Sequence, residues 1–178
     1  PYPNNSNIPR QSKSGDISDI DVSKNLILSK PDIIFHLAAI VSGQAEQEFD
    51  LGWDINAKGS WGLFEAIRHQ GENYCPRLVF TSSIAVFGAP FPDKIPDDFF
   101  TTPLTSYGAQ KAISELLLAD YSRKKMIDGV SIRLPTICVR PGKPNLAASG
   151  FFSGIIREPL NGCLLYTSPG PRDMWTSR

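Results

Sequence analysis

The stretch DIIFHLAAIV at residues 32–41 gives the clearest β-strand signal in the sequence. It is apolar nearly throughout, as expected for a strand that is covered on both faces of a parallel sheet. Its end turns small, with Ala38 and Ala39 followed by Ser42 and Gly43. Small residues there let the backbone approach a ligand closely. The stretch therefore predicts a buried strand whose carboxyl end borders a binding site.

Helices and strands alternate on both sides of this stretch. Helical patterns cover three regions, residues 19–29, 45–69 and 105–128. Further buried strands are predicted at residues 78–81 and 130–134. Such an alternation implies an α/β fold with a parallel sheet and right-handed crossovers.

The sequence also predicts where the helices begin and end, and where one of them is irregular. The second helix has a weak middle near Gly52 and Gly59. Thr105 or Ser106 can cap the third helix, and Gly129 breaks it. The buried face of the third helix is predicted to consist of apolar residues: Ala109, Ala112, Ile113, Leu116, Leu117 and Ala119.

Tyr107 and Lys111 lie four residues apart at the start of the third helix. Residues at i and i+4 share one helix face, so a phenol and an ammonium are predicted side by side. An isolated Tyr, with a pKa near ~10, is too weakly ionised to act as a base at neutral pH. A neighbouring cation favours the phenolate, which makes the pair a candidate general base. The alternative is an ordinary amphipathic helix with a half-buried Tyr and a solvated Lys.

Ser82 and Ser83 directly follow the predicted strand at residues 78–81. Open α/β sheets bind their ligands beyond the carboxyl ends of their strands. The first strand ends on small residues, the second on these hydroxyls, and the third on Pro135 and Thr136. Three such strand ends together predict one crevice. A hydrolase is not expected, because Ser83 is not part of a G-x-S-x-G turn.

Composition excludes several classes of function. The 178 residues carry a formal net charge of zero, and no basic stripe suggests nucleic acid. No apolar run approaches the ~20 residues that span a bilayer. Three scattered cysteines fit neither a disulfide framework nor a metal site, and they suit a reducing cytoplasm. We therefore expect a cytoplasmic protein with a small-molecule ligand.

These features resemble the short-chain dehydrogenases/reductases. Tyr107-x-x-x-Lys111 with Ser83 upstream is similar to their catalytic triad, and HLAA at 36–39 and TSSIAVFG at 81–88 resemble the extended, NAD-dependent epimerase/dehydratase branch. Phe87 stands where that branch commonly has Tyr. The resemblance implies a Rossmann-type doubly wound parallel sheet and an enzyme with Ser83, Tyr107 and Lys111 as catalytic residues.

A narrower resemblance is to the D-erythronate dehydrogenases within that branch. It rests on HLAAIVSGQAEQEFD at 36–50, TSYGAQKAI at 105–113, RLPTICVRPG at 133–142 and GIIREP at 154–159. It implies NAD-dependent oxidation of the C2 hydroxyl of a small sugar acid. Ser42, Gly43, Ser83 and Tyr107 are then expected near the substrate. Arg140 is the candidate partner of the substrate carboxylate, because guanidinium binds carboxylates in a bidentate manner; a plain surface loop is the alternative.

The same resemblance implies the residues that contact the cofactor. They are Asp16, Ile17, Leu37, Ala38, Ala39, Asn56, Tyr107, Lys111 and Pro135. NAD is the expected cofactor, and NADP stays open as an alternative. For some residues a structural role competes. Asp16 could open a helix, Asn56 could be a surface residue, and Leu37, Ala38 and Ala39 could be plain core residues. His36 is not assigned to the site and is expected to be a plain core histidine.

Both ends of the sequence differ from a complete member of this family. Residues 1–162 are expected to be a partial NAD(P)-binding domain that lacks the first strand and its Gly-rich turn. The sheet is therefore expected to be truncated at both ends. Residues 163–178 resemble a translated adapter from DNA library preparation and are expected to be non-native; a genuine Pro/Gly-rich tail is the alternative.

Two rival functions share many of these features. A nucleotide-sugar epimerase or dehydratase of the same branch would use the same triad. A non-catalytic NAD(P)-binding regulator would need neither Tyr107 nor Lys111, and both are present. A homodimer is a further expectation from the family.

Overall fold

A computed structural model describes residues 12–137 and 150–162 of the chain. Within these ranges six α-helices, three strands, a π-helical segment and a 3₁₀ turn follow one another. In chain order they are α1 (Ile20–Ile27), β1 (Ile33–His36), α2 (Ser42–Gln47), α3 (Phe49–Gly52), the π segment (Trp53–Lys58), α4 (Gly59–Arg68), β2 (Arg77–Ser83), the 3₁₀ turn (Ile84–Val86), α5 (Ser106–Arg123), β3 (Asp128–Leu134) and α6 (Gly150–Leu160).

The three strands form a parallel sheet in the order β1-β2-β3. His36 pairs with Phe80, and Ser83 pairs with Leu134 at the carboxyl end of the sheet. The alternation of helices and strands in the sequence predicted a parallel sheet whose neighbouring strands are joined through helices. The structure confirms this prediction. The register brings the ends of the strands to one edge, which is where the candidate site lies.

One face of the sheet carries the hydrophobic core. Leu78 and Phe80 of β2 are fully buried there. They pack with side chains from three helices and the α5–β3 turn, namely Ile27, Leu63, Phe64, Ala66, Ile67, Leu118 and Ile127. Residues 78 and 80 share one face because side chains alternate along a strand. The core therefore fixes which face of β2 turns towards α4 and α5.

The opposite face of the sheet is exposed in the described part of the chain. Ile33 is 58% and Phe35 65% exposed, and Val130 and Ile132 of β3 are also exposed. The expectation that each strand is buried on both faces is therefore wrong for these residues. The described core cluster, with its residues from α1, α4 and α5, lies on the side of Leu78 and Phe80 only.

The predicted weak middle of the second helix is a π-helical segment. Trp53–Lys58 is flanked directly by Gly52 and Gly59, the two glycines that predicted the softening. Asn56 and Ala57 of this segment are buried. Single π turns inside α-helices are frequent at functional sites. The segment turns Asn56 towards α5 and the loop after β1.

The third predicted helix, α5, begins as expected and ends earlier than expected. Thr105 is the N-cap, and its side chain accepts a hydrogen bond from the Gly108 N–H at 3.1 Å. The helix ends at Arg123, and Gly129 lies inside β3 instead of ending the helix. A Cβ at position 129 would lie 2.5 Å from Leu118 Cδ1, so Gly129 allows α5 to pack closely on the strand.

The buried face of α5 also differs from the prediction. Leu116 is 69% exposed, and Ala119 is exposed as well. Instead, the first half of the helix buries polar side chains, those of Gln110, Lys111 and Ser114. The prediction holds for Ala112, which is buried, and for Leu117, which packs against the core. It is wrong for Leu116 and Ala119, and apolar periodicity could not predict the buried polar side chains because their partners come from distant parts of the chain.

Candidate functional site

A cavity of about 580 Å³ opens at the carboxyl end of the sheet. The segments that follow all three strands contribute to it, together with the start of α5. Of the residues predicted for the site, seven line this cavity: Leu37, Ala39, Ser42, Ser83, Tyr107, Lys111 and Pro135. The crevice predicted from the strand ends is thus present, and the three members of the predicted triad border it.

Tyr107 and Lys111 lie on the first two turns of α5, at the wall of the cavity. The Lys111 Nζ atom lies 5.7 Å from the centroid of the Tyr107 ring and 4.7 Å from that of Phe80. It donates a hydrogen bond to the Thr81 carbonyl at 2.8 Å. The i, i+4 spacing therefore places the ammonium beside the phenol ring. The alternative of a solvated Lys is wrong, because Lys111 is only 2% exposed.

Burial controls the charge of this ammonium. Desolvation lowers the pKa of Lys111 from 10.5 to about 8. At neutral pH the side chain is therefore still mainly protonated. Aromatic faces and one carbonyl oxygen partly replace its water. The cavity wall thus holds a positive charge directly beside Tyr107.

Ser83 is the last residue of β2, and its hydroxyl is held by the backbone. Its Oγ atom accepts a hydrogen bond from the Ala85 N–H at 3.2 Å and caps the 3₁₀ turn. Accepting this bond leaves the hydroxyl proton able to be donated to a substrate oxygen. Ser82 also borders the cavity, but its side chain is buried on the face of β2 that carries Phe80.

His36 is a core histidine, as expected from its place in the strand. Its ring packs between Phe64 and Phe80, and its Nε2 atom lies 2.9 Å from Ser60 Oγ. Burial, followed by the charge of Lys111, lowers the pKa of His36 to about 4. The imidazole is therefore neutral at physiological pH. It supports the wall behind Lys111 and does not border the cavity.

Asp16 and Ile17, which the resemblance places at the adenine end of the cofactor, lie apart from this cavity. Asp16 is exposed, and its carboxylate accepts hydrogen bonds from the N–H and the hydroxyl of Ser18. These bonds lower the pKa of Asp16. The N-cap of α1 is Asp19, so Asp16 does not open the helix itself. Ile17 packs near Gly59. Their cofactor roles stay predictions.

Three other predicted residues that the structure describes also do not border the cavity. Ala38 is exposed between lining neighbours, and Gly43 is half-buried at the start of α2. Asn56 is buried behind the cavity wall, so the alternative of a surface residue is wrong. It binds the backbone of Ile40, and a direct cofactor contact stays a prediction. Arg140, Cys138, and residues 1–11 and 163–178 lie outside the described residues.

Several residues that support the site were not predicted from the sequence. Gln110 hydrogen-bonds Asn56, and Ser114 lies against the backbone carbonyls of both. Glu46 of α2 accepts the Ser106 N–H at 2.9 Å, at the beginning of α5. One feature of the sequence could have indicated Gln110 and Ser114. They are four residues apart, so they share one face of the helix, and two polar residues on one face can indicate a buried polar contact.

In the described residues, no group of three or more His, Cys, Asp or Glu side chains is placed to hold a metal ion. None of their helices combines the length and apolar character that crossing a bilayer requires. The expected homodimer stays a prediction.

The chain matches the NAD dependent epimerase/dehydratase family over residues 2–174. It belongs to that family, and the Rossmann-type parallel sheet and the resemblance found in the sequence are confirmed. Among curated proteins it is 55% identical over 149 residues to D-erythronate dehydrogenase of Cupriavidus necator, covering 84% of this chain and 45% of that protein. It is 52% identical over 137 residues to D-erythronate dehydrogenase of Haemophilus influenzae, covering 77% and 43%.

Among solved structures, a nucleoside-diphosphate-sugar epimerase from Agrobacterium tumefaciens superimposes with a TM-score of 0.80 at 59% identity. That match covers 86% of this chain and 48% of the other. The chain thus spans less than half the length of these relatives. The names of these relatives differ, since two are dehydrogenases and the third is an epimerase.

Proposed function

We propose that the full-length protein is an NAD-dependent dehydrogenase that oxidises the C2 hydroxyl of a small sugar acid, D-erythronate, to 2-oxo-tetronate. The observation that supports this most is the convergence of Ser83, Tyr107 and Lys111 on one cavity at the strand ends. The two curated D-erythronate dehydrogenases support the choice of substrate.

Tyr107 is the proposed base. Its phenolate removes the proton of the substrate hydroxyl while the C2 carbon loses a hydride, which leaves a ketone. The buried ammonium of Lys111 stabilises the phenolate, because opposite charges attract strongly where water is excluded. The Ser83 hydroxyl donates a hydrogen bond to the substrate oxygen and orients it.

The lining of the cavity fits the nicotinamide end of NAD. Lys111 carries three N–H donors, and among the described residues only the Thr81 carbonyl accepts one. The remaining donors suit the hydroxyls of a ribose. Leu37, Ala39 and Pro135 supply an apolar wall. Bound NAD would supply the hydride acceptor. NADP stays open, because no described residue that borders the cavity distinguishes the two.

Tyr107→Phe in the full-length protein tests this proposal. Loss of the hydroxyl removes the base, so kcat with D-erythronate should fall by about 10²- to 10⁴-fold. The dissociation constant of NAD, measured by fluorescence titration, should stay within about twofold, because the ring remains in place. Turnover close to that of the unchanged protein would refute the role of Tyr107.

Arg140→Ala tests the proposed carboxylate partner. Loss of a bidentate guanidinium should raise the KM for D-erythronate more than it lowers kcat. An unchanged KM would remove Arg140 from the site.

A nucleotide-sugar epimerase is the second candidate, favoured by the Agrobacterium tumefaciens relative. An epimerase returns the hydride to its product, so no net NADH accumulates. Full-length protein should therefore be given D-erythronate and UDP-sugars separately, with absorbance at 340 nm and product analysis as readouts. Epimerised UDP-sugar without NADH would favour the second candidate. A non-catalytic regulator would show neither product, although Tyr107 and Lys111 both border the cavity.

A further inference from the structure

Gln110 lies on α5 between Tyr107 and Lys111, but its side chain does not border the cavity. It is only 1% exposed and points towards the π segment. A buried amide at this position requires a hydrogen-bond partner. The structure supplies one from a residue 54 positions earlier in the chain, Asn56.

Gln110 and Asn56 connect the catalytic helix to the cavity wall. The Asn56 Nδ2 atom donates to Gln110 Oε1 at 2.8 Å. The Asn56 Oδ1 atom accepts the Ile40 N–H at 3.0 Å. Ile40 borders the same cavity as Tyr107 and Lys111. The two amides thus form a bracket from α5 to the segment after β1.

The orientation of both amides follows from one backbone donor. The Ile40 N–H can only donate, so it selects the oxygen of Asn56. The amide nitrogen of Asn56 then donates to two acceptors, the Ile40 carbonyl at 3.4 Å and Gln110 Oε1 at 2.8 Å, so the Gln110 amide turns its oxygen towards Asn56. The Nε2 atom of Gln110 has no acceptor among the described residues. The side chain therefore acts through its oxygen.

Packing holds this bracket in place from two sides. On one side, the Ser114 hydroxyl lies 3.2 Å from the backbone carbonyl oxygen of Asn56 and 3.0 Å from that of Gln110. On the other side, a Cβ at Gly52 would lie 2.8 Å from Gln110 Nε2 and 3.1 Å from Ala45 Cβ. Glycine at position 52 leaves the space that the Gln110 amide occupies.

We propose that Gln110 is a positioning residue which, through Asn56, holds the Ile40 segment of the cavity wall at a fixed distance from Tyr107 and Lys111. Its effect on turnover rests on the proposed function. The bracket itself does not, because it consists of hydrogen bonds that can be measured without substrate.

The first test is amide hydrogen exchange in the full-length protein. Gln110→Met keeps an unbranched side chain of similar length and removes the acceptor. Exchange of the Ile40 amide should become about tenfold faster or more, because Asn56 loses the shorter of the two hydrogen bonds that its Nδ2 atom donates. Ser122→Ala, which removes a hydroxyl from the other end of α5, should leave Ile40 unchanged. Unchanged protection of Ile40 in Gln110→Met would overturn the proposal.

The second test separates positioning from general stability. With D-erythronate, kcat of Gln110→Met should fall about 10- to 100-fold, as expected for a displaced wall. Gln110→Glu retains an acceptor oxygen at the same place and should restore most of the turnover. Equal losses in Met and Glu variants would contradict the role of the oxygen. In an Asn56→Ala background, Gln110→Met should cause little further loss; an additive loss would also contradict it.

The two tests distinguish failure of the proposed function from failure of the proposed role of Gln110. If the unchanged full-length protein oxidised no sugar acid, the proposed function would fail. The exchange rate of Ile40 would still decide whether Gln110 and Asn56 form the bracket in solution.

Discussion

The two halves of α5 differ in the large side chains that they bury. The half from Ser106 to Ser114 buries Gln110, Lys111 and Ser114, and it faces the π segment and the end of β2. The half from Glu115 to Arg123 buries Leu118 in the hydrophobic core. One helix therefore anchors the fold at one end and presents the candidate catalytic groups at the other.

The difference shows how a reactive charge can be held inside a small core. Burying Leu118 stabilises the folded state, because apolar surface leaves water. Burying the ammonium of Lys111 costs free energy, as its lowered pKa shows. The apolar half of the helix offsets the cost of the polar half. If this division holds, substitutions in the two halves will separate stability from turnover.

The largest effect on stability is expected from Leu118→Ala in the core half. The cavity left by the lost side chain should lower the free energy of unfolding by about 3 kcal/mol. Denaturant unfolding of the full-length protein measures this change. Turnover per folded molecule should stay near normal at low temperature. A large loss of kcat in the folded fraction would show that the two halves are not separable.

An effect of comparable size is expected from His36 at acid pH. Its pKa is about 4 in the folded protein and 6.5 in the unfolded chain, so the unfolded chain binds the proton first as pH falls. Stability that is present above pH 6.5 is therefore lost between pH 6.5 and 4, by up to about 3 kcal/mol. His36→Phe should unfold with a flatter pH dependence over this window. Identical acid slopes in both proteins would exclude His36 as the cause.

Lys111→Met should abolish turnover and stabilise the fold. Removing a buried charge, less the lost hydrogen bond to Thr81, should raise the free energy of unfolding at pH 7 by about 2 kcal/mol. The folded protein releases the Lys111 proton near pH 8 and the unfolded chain near 10.5, so the unchanged protein gains stability between these values. The difference between the two proteins should therefore shrink above pH 8.

Lys58→Met is the matched control for this comparison. Lys58 forms an exposed ion pair with Asp54, and such pairs contribute only about 0–1 kcal/mol. Its loss should change neither stability nor turnover by much. If Lys111→Met instead lowered the free energy of unfolding, the buried ammonium would be shown to stabilise the folded protein.

The smallest effect is expected at the start of α5. Thr105→Ala removes the N-cap bond to Gly108 and should lower the free energy of unfolding by about 1 kcal/mol. Thr105→Ser keeps the oxygen and should lose much less. Thermal unfolding compares the two variants. Equal losses would mean that packing, and not the cap, begins this helix.

Local rules account for what could be predicted about this site. The cap at Thr105 and the i, i+4 placement of Tyr107 and Lys111 depend on residues within two turns of each other. The polar contacts of Gln110 could not be predicted in this way. Its partner Asn56 lies 54 residues away, and only the folded chain brings the two amides together. Leu116 was misplaced for the same reason, since helix periodicity does not say which stripe meets the core.

By itself the sequence determined the alternation of strands and helices, the parallel sheet, and the collection of small and hydroxyl residues at the strand ends. These follow from apolar periodicity and chain direction, which are local properties. Only the tertiary structure decided that Lys111 is buried, that one face of the sheet is exposed, and that Asn56 and Gln110 meet behind the cavity. Burial and the pairing of distant polar groups depend on which surfaces pack together, and packing is a property of the whole fold.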